Sequence, residues 1–247
     1  MSLSESHIIH HGSCLDPIHG MASLPDLSVD AIITDPPYSP HIHENIKNIS
    51  DRKGTQVIDL QFKAIDDDLQ ESCAKEFARI ARRWIVIFTD IEGIRPWKQA
   101  CTKFDLSICA VGAWIKPNAM PQLTGDRPGA GWEALLIAHA PGPITPWYGK
   151  SFVWRTKKIS TRSSTEERFH HTQKPLALMD EIVQAATRPE DLICDPFSGS
   201  GTTGVAAKRH QRRYIGWEQD PHYFQRSRER LAQTGVSFDL FRESNDS

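Results

Sequence analysis

The chain has 247 residues, a formal net charge of −2 and 39% hydrophobic residues, the balance of an ordinary globular domain long enough to bury one large α/β core. Near-neutral charge means that a polyanion would have to be met by a local patch, not by the chain as a whole. No apolar run approaches the roughly twenty residues of a membrane span, and the opening MSLSESHIIHHG lacks the basic-then-apolar layout of a signal peptide, so a cytoplasmic protein with no membrane contact is expected.

In chain order, the first features are an early strand carrying Cys14 and the histidine pairs His10, His11 and His41, His43. These histidines read as solvated loop residues, because no carboxylate or thiol cluster accompanies them. The five cysteines are scattered and none forms a C-x-x-C pair, so neither a disulfide framework nor a zinc site is indicated. VDAIITDPPY predicts a strand ending at Asp35, and RWIVIFTD predicts another ending near Asp90. Helices are expected at about 66–82 and about 92–103, and the runs 106–114 and 133–139 read as a strand pair near a sheet edge. Apolar strands alternating with helices predict a Rossmann-like, doubly wound, mostly parallel sheet covered on both faces.

From Ala140 to about Thr172 the texture changes. Pro141, Gly142, Pro143, Pro146 and Gly149 break any regular element, and a basic, aromatic stretch follows. Between Lys150 and Lys174 there are seven Lys or Arg against two Glu. Interleaving of Trp147, Tyr148, Phe152 and Trp154 with those cations favours a nucleic-acid contact. PLALMDEIVQAAT predicts a helix, which leads into a short buried strand of Leu192, Ile193 and Cys194. Gly199 and Gly201 then permit a tight turn, and Thr202 opens a helix. The next strand, RRYIGW, ends in Glu218, placed to accept bonds from a ribose diol. By itself this turn suits NAD, another adenosine cofactor or no ligand at all.

Asp35-Pro36-Pro37-Tyr38 follows an apolar run at a strand's C-terminal end, where open α/β sheets bind ligands. The Asp35 carboxylate is one acceptor. The two prolines fix the backbone and remove two donors, which leaves the Pro36 carbonyl as a second acceptor, with the Tyr38 ring beside them. Two acceptors beside an aromatic face suit a planar base that carries an exocyclic amino group.

Together, DPPY at 35–38, DPFSGSGTT at 195–203, GWE at 216–218, HHTQKP at 170–175 and WIKPNAMP at 114–121 resemble the S-adenosylmethionine-dependent amino-group DNA methyltransferases. With the catalytic motif first and the cofactor motif late, the order is similar to the circularly permuted beta group, over nearly the whole chain. The resemblance implies a class I methyltransferase fold in a single domain, 1–247, with a catalytic half at about 7–139, a target-recognition insert at about 120–170 and a cofactor-binding half at about 171–235. It implies transfer of a methyl group to adenine N6 of double-stranded DNA after base flipping, with no metal, and a homodimer on a palindromic site. Catalysis would rest on Asp35, Pro36, Pro37 and Tyr38. The cofactor would lie against Cys14, Asp35, Asp195, Phe197, Ser198, Gly199, Ser200, Gly201, Thr202 and Glu218, with Lys174 on its carboxylate. Lys116, Arg155, Lys157, Lys158 and Arg162 would contact DNA.

Two positions depart from the family pattern: Ser13 stands where the family shows Asp, and His171 where it shows Pro. Other readings are cytosine N4 as the target, RNA or protein glutamine as the substrate, a DNA-binding module with vestigial transfer, and an NAD-dependent oxidoreductase.

Overall fold

The computed structural model describes residues 6–37, 67–119, 131–143, 145–157 and 173–235. In chain order its strands are β1 (His7–His11), β2 (Val29–Thr34), β3 (Ala81–Thr89), β4 (Ser107–Ile115), β5 (Trp132–His139), β6 (Val153–Arg155), β7 (Leu192–Asp195) and β8 (Arg213–Glu218). The helices are α1 (Asp67–Ile80), α2 (Ile94–Lys103), α3 (Leu176–Ala186), α4 (Thr202–Arg209) and α5 (Pro221–Gln233). All eight strands join one sheet in the order β1-β8-β7-β2-β3-β5-β4-β6, and β5 alone runs antiparallel to its neighbours.

Strand side chains alternate between faces, so a central strand must be apolar on both sides when helices cover both. β2 meets that demand along its whole length. Ile32 packs on one side with Ile85, Ile87, Cys194 and Ile215, under Phe77 and Ile80 of α1 and Trp97 of α2. Ala31 and Ile33 pack on the other with Val86, Phe88, Ile193 and Tyr214, under Ile182 of α3, Val205 of α4 and Leu231 of α5. This is the doubly wound sheet expected from the sequence.

β2 and β7 are neighbours, with Ala31 opposite Ile193 and Ile32 opposite Cys194. From β2 the chain proceeds to β3 on one side; from β7 it proceeds to β8 on the other. Connections that diverge in this way open a crevice beyond the C-terminal ends of the two strands. Asp35 and Asp195 stand at those ends.

The sequence reading is corrected in four places. The stretch after Ala140 is not without regular structure, because β6 pairs parallel with β4 and extends the sheet beyond the expected edge pair. Cys14 is not on a strand; it follows β1 in a turn and is buried. His10 and His11 are not loop residues: on β1 they stack against Trp217 and Phe224. Helix α5 was not anticipated, although Asp220 caps it by accepting from the His222 and Tyr223 N–H groups and Pro221 starts it. His41 and His43 lie outside the described residues.

Candidate active site

The turn between β7 and α4 is held by hydrogen bonds that reach across strands. Asp195 Oδ1 accepts from Thr34 Oγ1 at 2.8 Å, which ties the end of β2 to the end of β7, and from the Phe197 N–H at 3.2 Å. The Tyr214 hydroxyl reaches Asp195 Oδ2 at 3.5 Å and Ser198 Oγ at 2.9 Å. Gly199 and Gly201 take φ of +49° and +72°, in the left-handed region that a side chain disfavours. Glu218 spans the turn: Oε2 accepts from the Gly199 N–H and Oε1 from the Asp220 N–H, each at 2.8 Å. Arg230 of α5 donates to Ser200 O at 3.1 Å and Thr202 Oγ1 at 2.9 Å.

Burial pushes the Asp195 carboxyl up to about 6, against the opposing pull of the Thr203 and Thr34 hydroxyls and the Phe197 N–H. It also raises Glu218, against the backbone donors of Asp220 and Gly199. Across the crevice, four charged side chains from four segments meet. Lys174 Nζ lies 2.5 Å from Asp35 Oδ2 and 3.3 Å from Glu133 Oε2. The other Glu133 oxygen accepts from Lys116 Nζ. Burial works to lower the Lys174 pKa, but the charges of Asp35 and Glu133 outweigh it and hold the ammonium above the ordinary lysine range. The Phe88 ring lies under it, 5.0 Å from ammonium to centroid. Pro36 is buried and Pro37 half-buried beside this cluster.

The profile of the DNA methylase family that covers adenine-N6 and cytosine-N4 enzymes matches residues 29–229, from the start of β2 into α5. The chain belongs to that family. It is 27% identical over 244 residues to the type II methyltransferase M2.MboI of Moraxella bovis, covering 90% of this chain and 86% of that protein. It is also 27% identical over 251 residues to the type II methyltransferase M.HinfI of Haemophilus influenzae, covering 87% of this chain and 66% of that protein. Among solved structures, the M1.HpyAVI–SAM complex superposes with a TM-score of 0.69 at 30% identity, covering 91% of this chain and 98% of that one. The PvuII cytosine-N4-specific DNA methyltransferase shares the fold, with a TM-score of 0.69 at 16% identity over 98% of this chain and 89% of that one.

Within this DNA methylase, Asp35 follows β2, Asp195 to Gly201 run from the end of β7 to α4, which Thr202 opens, Glu218 ends β8, and Lys174 reaches Asp35 from the segment ahead of α3. Cys14 is buried in the core with Cys73 and Cys194. The hydroxyl of Ser13 accepts the Leu15 N–H at 3.2 Å, a local turn contact. Lys116 is buried on Glu133 and over the Trp114 ring, so the phosphate contact expected of it does not suit its position. Lys174 meets Asp35 and Glu133 in the crevice.

The aromatic half of the nucleic-acid signal is also revised. Trp154 is buried, Trp147 packs edge-on against Trp84, and Phe152 packs against Trp147. Tyr148 is exposed, with the Arg188 guanidinium 5.0 Å over its ring. Arg155 and Lys157 are exposed at the β6 edge. Tyr38, Lys158, Arg162 and His171 lie outside the described residues. Glu133 and Arg230 were missed; an acid inside the apolar run GWEALLIAHA was a usable signal for the first, whereas nothing local marked the second.

Proposed function

We propose that the chain is a site-specific DNA methyltransferase of the circularly permuted beta group that transfers a methyl group from S-adenosylmethionine to adenine N6. The observation that carries this reading is Asp35 standing beside the Asp195–Glu218 turn at adjacent strand ends, tied together by the bond from Thr34 to Asp195. The crevice fits the cofactor. Lys116 and Lys174 are matched by Glu133 and Asp35, so Asp195 and Glu218 give the described part of the site an acidic balance suited to a cationic nucleoside. When bound, S-adenosylmethionine would supply a methyl group on cationic sulfur: the amine nitrogen bonds to the methyl carbon as the carbon–sulfur bond breaks, the sulfur leaves as a neutral thioether, and the nitrogen gives up one proton to solvent.

The work of the protein is then binding and alignment. Glu218 offers paired acceptors to a ribose diol, and the left-handed glycines let the backbone approach closely. Asp195 contributes negative charge where positive charge must be held. Asp35 and the Pro36 carbonyl accept from the amino group of a base turned out of the duplex, which no enzyme could reach inside the stack. Fixing the amine in line with its target is worth effective molarities of about 10⁵ M or more, so neither a covalent enzyme intermediate nor a metal is required. Asp in the first motif position supports adenine as the base. Arg155 and Lys157 suit backbone phosphates, and a dimer would offer two such edges to a palindrome.

The test is expression in a host without DNA methyltransferases, followed by mass spectrometry of the genomic nucleosides beside an Asp35→Ala control. The expected result is N6-methyladenine in the first sample only. N4-methylcytosine instead would move the base assignment, and no modified base would sink the reading.

A further inference from the structure

We propose that Ile91 and Trp132 form an apolar wedge on the rim of the crevice, which enters the base stack of double-stranded DNA as the target base turns out. The inference rests on the methyl-transfer reading above and adds to it the residues that hold the duplex open.

Asp35 marks the C-terminal end of β2, and β3 runs parallel to β2, so both strands deliver the chain to the same rim. β5 is antiparallel to β3 and starts where β3 ends. Thr89 stands opposite Ala134; Ile91 lies two residues beyond the one, and Trp132 two residues before the other. The two residues therefore leave neighbouring strands at one end of the sheet. Each is close in sequence to a residue of the crevice. Glu133, next to Trp132, reaches Lys174 at 3.3 Å, and Phe88, three residues before Ile91, underlies the same ammonium.

A singly exposed apolar side chain is ordinary, but two large ones side by side on the rim of a ligand crevice are not. Ile91 is 68% exposed and Trp132 45%, whereas the other tryptophans are buried or half-buried. Ile91 also stands on a compact turn: Asp90 Oδ1 accepts from the Gly93 N–H at 2.7 Å, and a Cβ on Gly93 would collide with Thr89 Oγ1 and Asp90 Oδ1.

Charge decides what the wedge faces. On β4, Ile115 is opposite Trp132 on one side and Arg155 on the other, and Lys157 follows, so exposed cations continue the row. Two strand spacings amount to about 10 Å. One duplex can therefore lay its opened stack on Trp132 and a phosphate on Arg155. Glu92, exposed beside Ile91, keeps phosphates to the Arg155 side. Turning a base out breaks stacking with its neighbours, and an apolar side chain that fills the gap offsets that cost. Val111 and Val153 continue the apolar face away from the rim, which makes a second copy of this chain the competing occupant.

The experiment uses the full chain with Trp132→Ala, Trp132→Phe and Ile91→Ser, and a duplex carrying the site read from the methylated genomic DNA. Single-turnover methylation at saturating S-adenosylmethionine is measured on the matched duplex and on one with a mismatch opposite the target base. Cofactor affinity is read by calorimetry and mass by sedimentation. Trp132→Ala is expected to slow methylation of the matched duplex about 10- to 100-fold, the range for losing an aromatic–base stack, and Ile91→Ser about tenfold. On the mismatched duplex, whose target base is already loosened, both deficits relative to wild type should shrink to within about threefold. Trp132→Phe should stay within about threefold on both duplexes, with cofactor affinity kept in every variant. Equal deficits on the two duplexes, or a fall in cofactor affinity, would overturn the proposal. A drop in mass in Trp132→Ala would overturn it in favour of a subunit interface. If Trp132→Ala does not fold, Ile91→Ser decides by the same comparison. A wild type that methylates no base overturns the proposal together with the function on which it rests; variants as fast as an active wild type overturn the proposal alone.

Discussion

Asp195→Asn should make the protein more stable and a poorer enzyme. The Asp195 carboxyl is buried, and its pKa rises from 3.8 to about 6 on folding. The folded state therefore keeps a proton that the unfolded chain releases. The stability this group contributes is complete below about pH 3.8 and is lost as pH rises through about 6. At 1.36 kcal/mol per pKa unit the loss approaches about 3 kcal/mol above pH 7. Asparagine imitates the neutral form and can keep three of its partners, with the Thr203 hydroxyl free to turn to the asparagine carbonyl. Its carbonyl can accept from Thr34 Oγ1 and Phe197 N–H, and its amide can donate to the Tyr214 hydroxyl on the other side. Urea unfolding of both proteins from pH 4 to pH 8 should show a small difference at pH 4 that grows to about 2–3 kcal/mol in favour of the variant at pH 8, worth about 5–10 °C in Tm for a domain of this size. Cofactor affinity should fall at the same time, because the cationic ligand loses a carboxylate. A variant less stable than wild type at pH 8, or a difference that does not change with pH, would refute the claim that burial of this charge is costly.

Gly204→Ala tests how tightly α4 sits on β8. A Cβ there would fall 2.8–3.1 Å from three atoms of the Tyr214 ring, which is buried and whose hydroxyl is bonded to Ser198. The helix-propensity gain of about 1 kcal/mol should be outweighed by overpacking, for a net loss of about 1–2 kcal/mol in thermal or urea unfolding. Variants at the β6 edge separate packing from the proposed DNA contact. Trp154→Ala should cost about 3–5 kcal/mol of stability. Arg155→Ala combined with Lys157→Ala should leave stability within about 0.5 kcal/mol and reduce the slope of log affinity against log salt by about 2 in a DNA-binding titration. A stable Trp154→Ala that has lost DNA binding would restore the nucleic-acid role of the aromatic residues.

Much of the candidate site's placement was legible because its parts are local. The strand-to-turn sequences at 29–37 and 192–204 carry their own instructions: a run apolar on both faces, then prolines that rigidify or glycines that admit left-handed φ. Chain order then indicated a doubly wound sheet, and that topology places the two strand ends side by side. The same local logic failed at Trp147, Phe152 and Trp154. Aromatic residues among cations carry one pattern whether they face DNA or a core, and only the pairing of β6 with β4 turned Trp154 inward.

The long-range charges were beyond sequence reading for a related reason. Lys116, Glu133 and Lys174 are separated by tens of residues from Asp35, and each alone is an ordinary surface residue type. What the sequence determined by itself was the kind of sheet and the two strand ends at which the motifs stand, because these depend on neighbours in the chain. What only the tertiary structure decided was which charge stands against which, and which aromatic is buried, because burial and ion pairing depend on residues brought together by the fold.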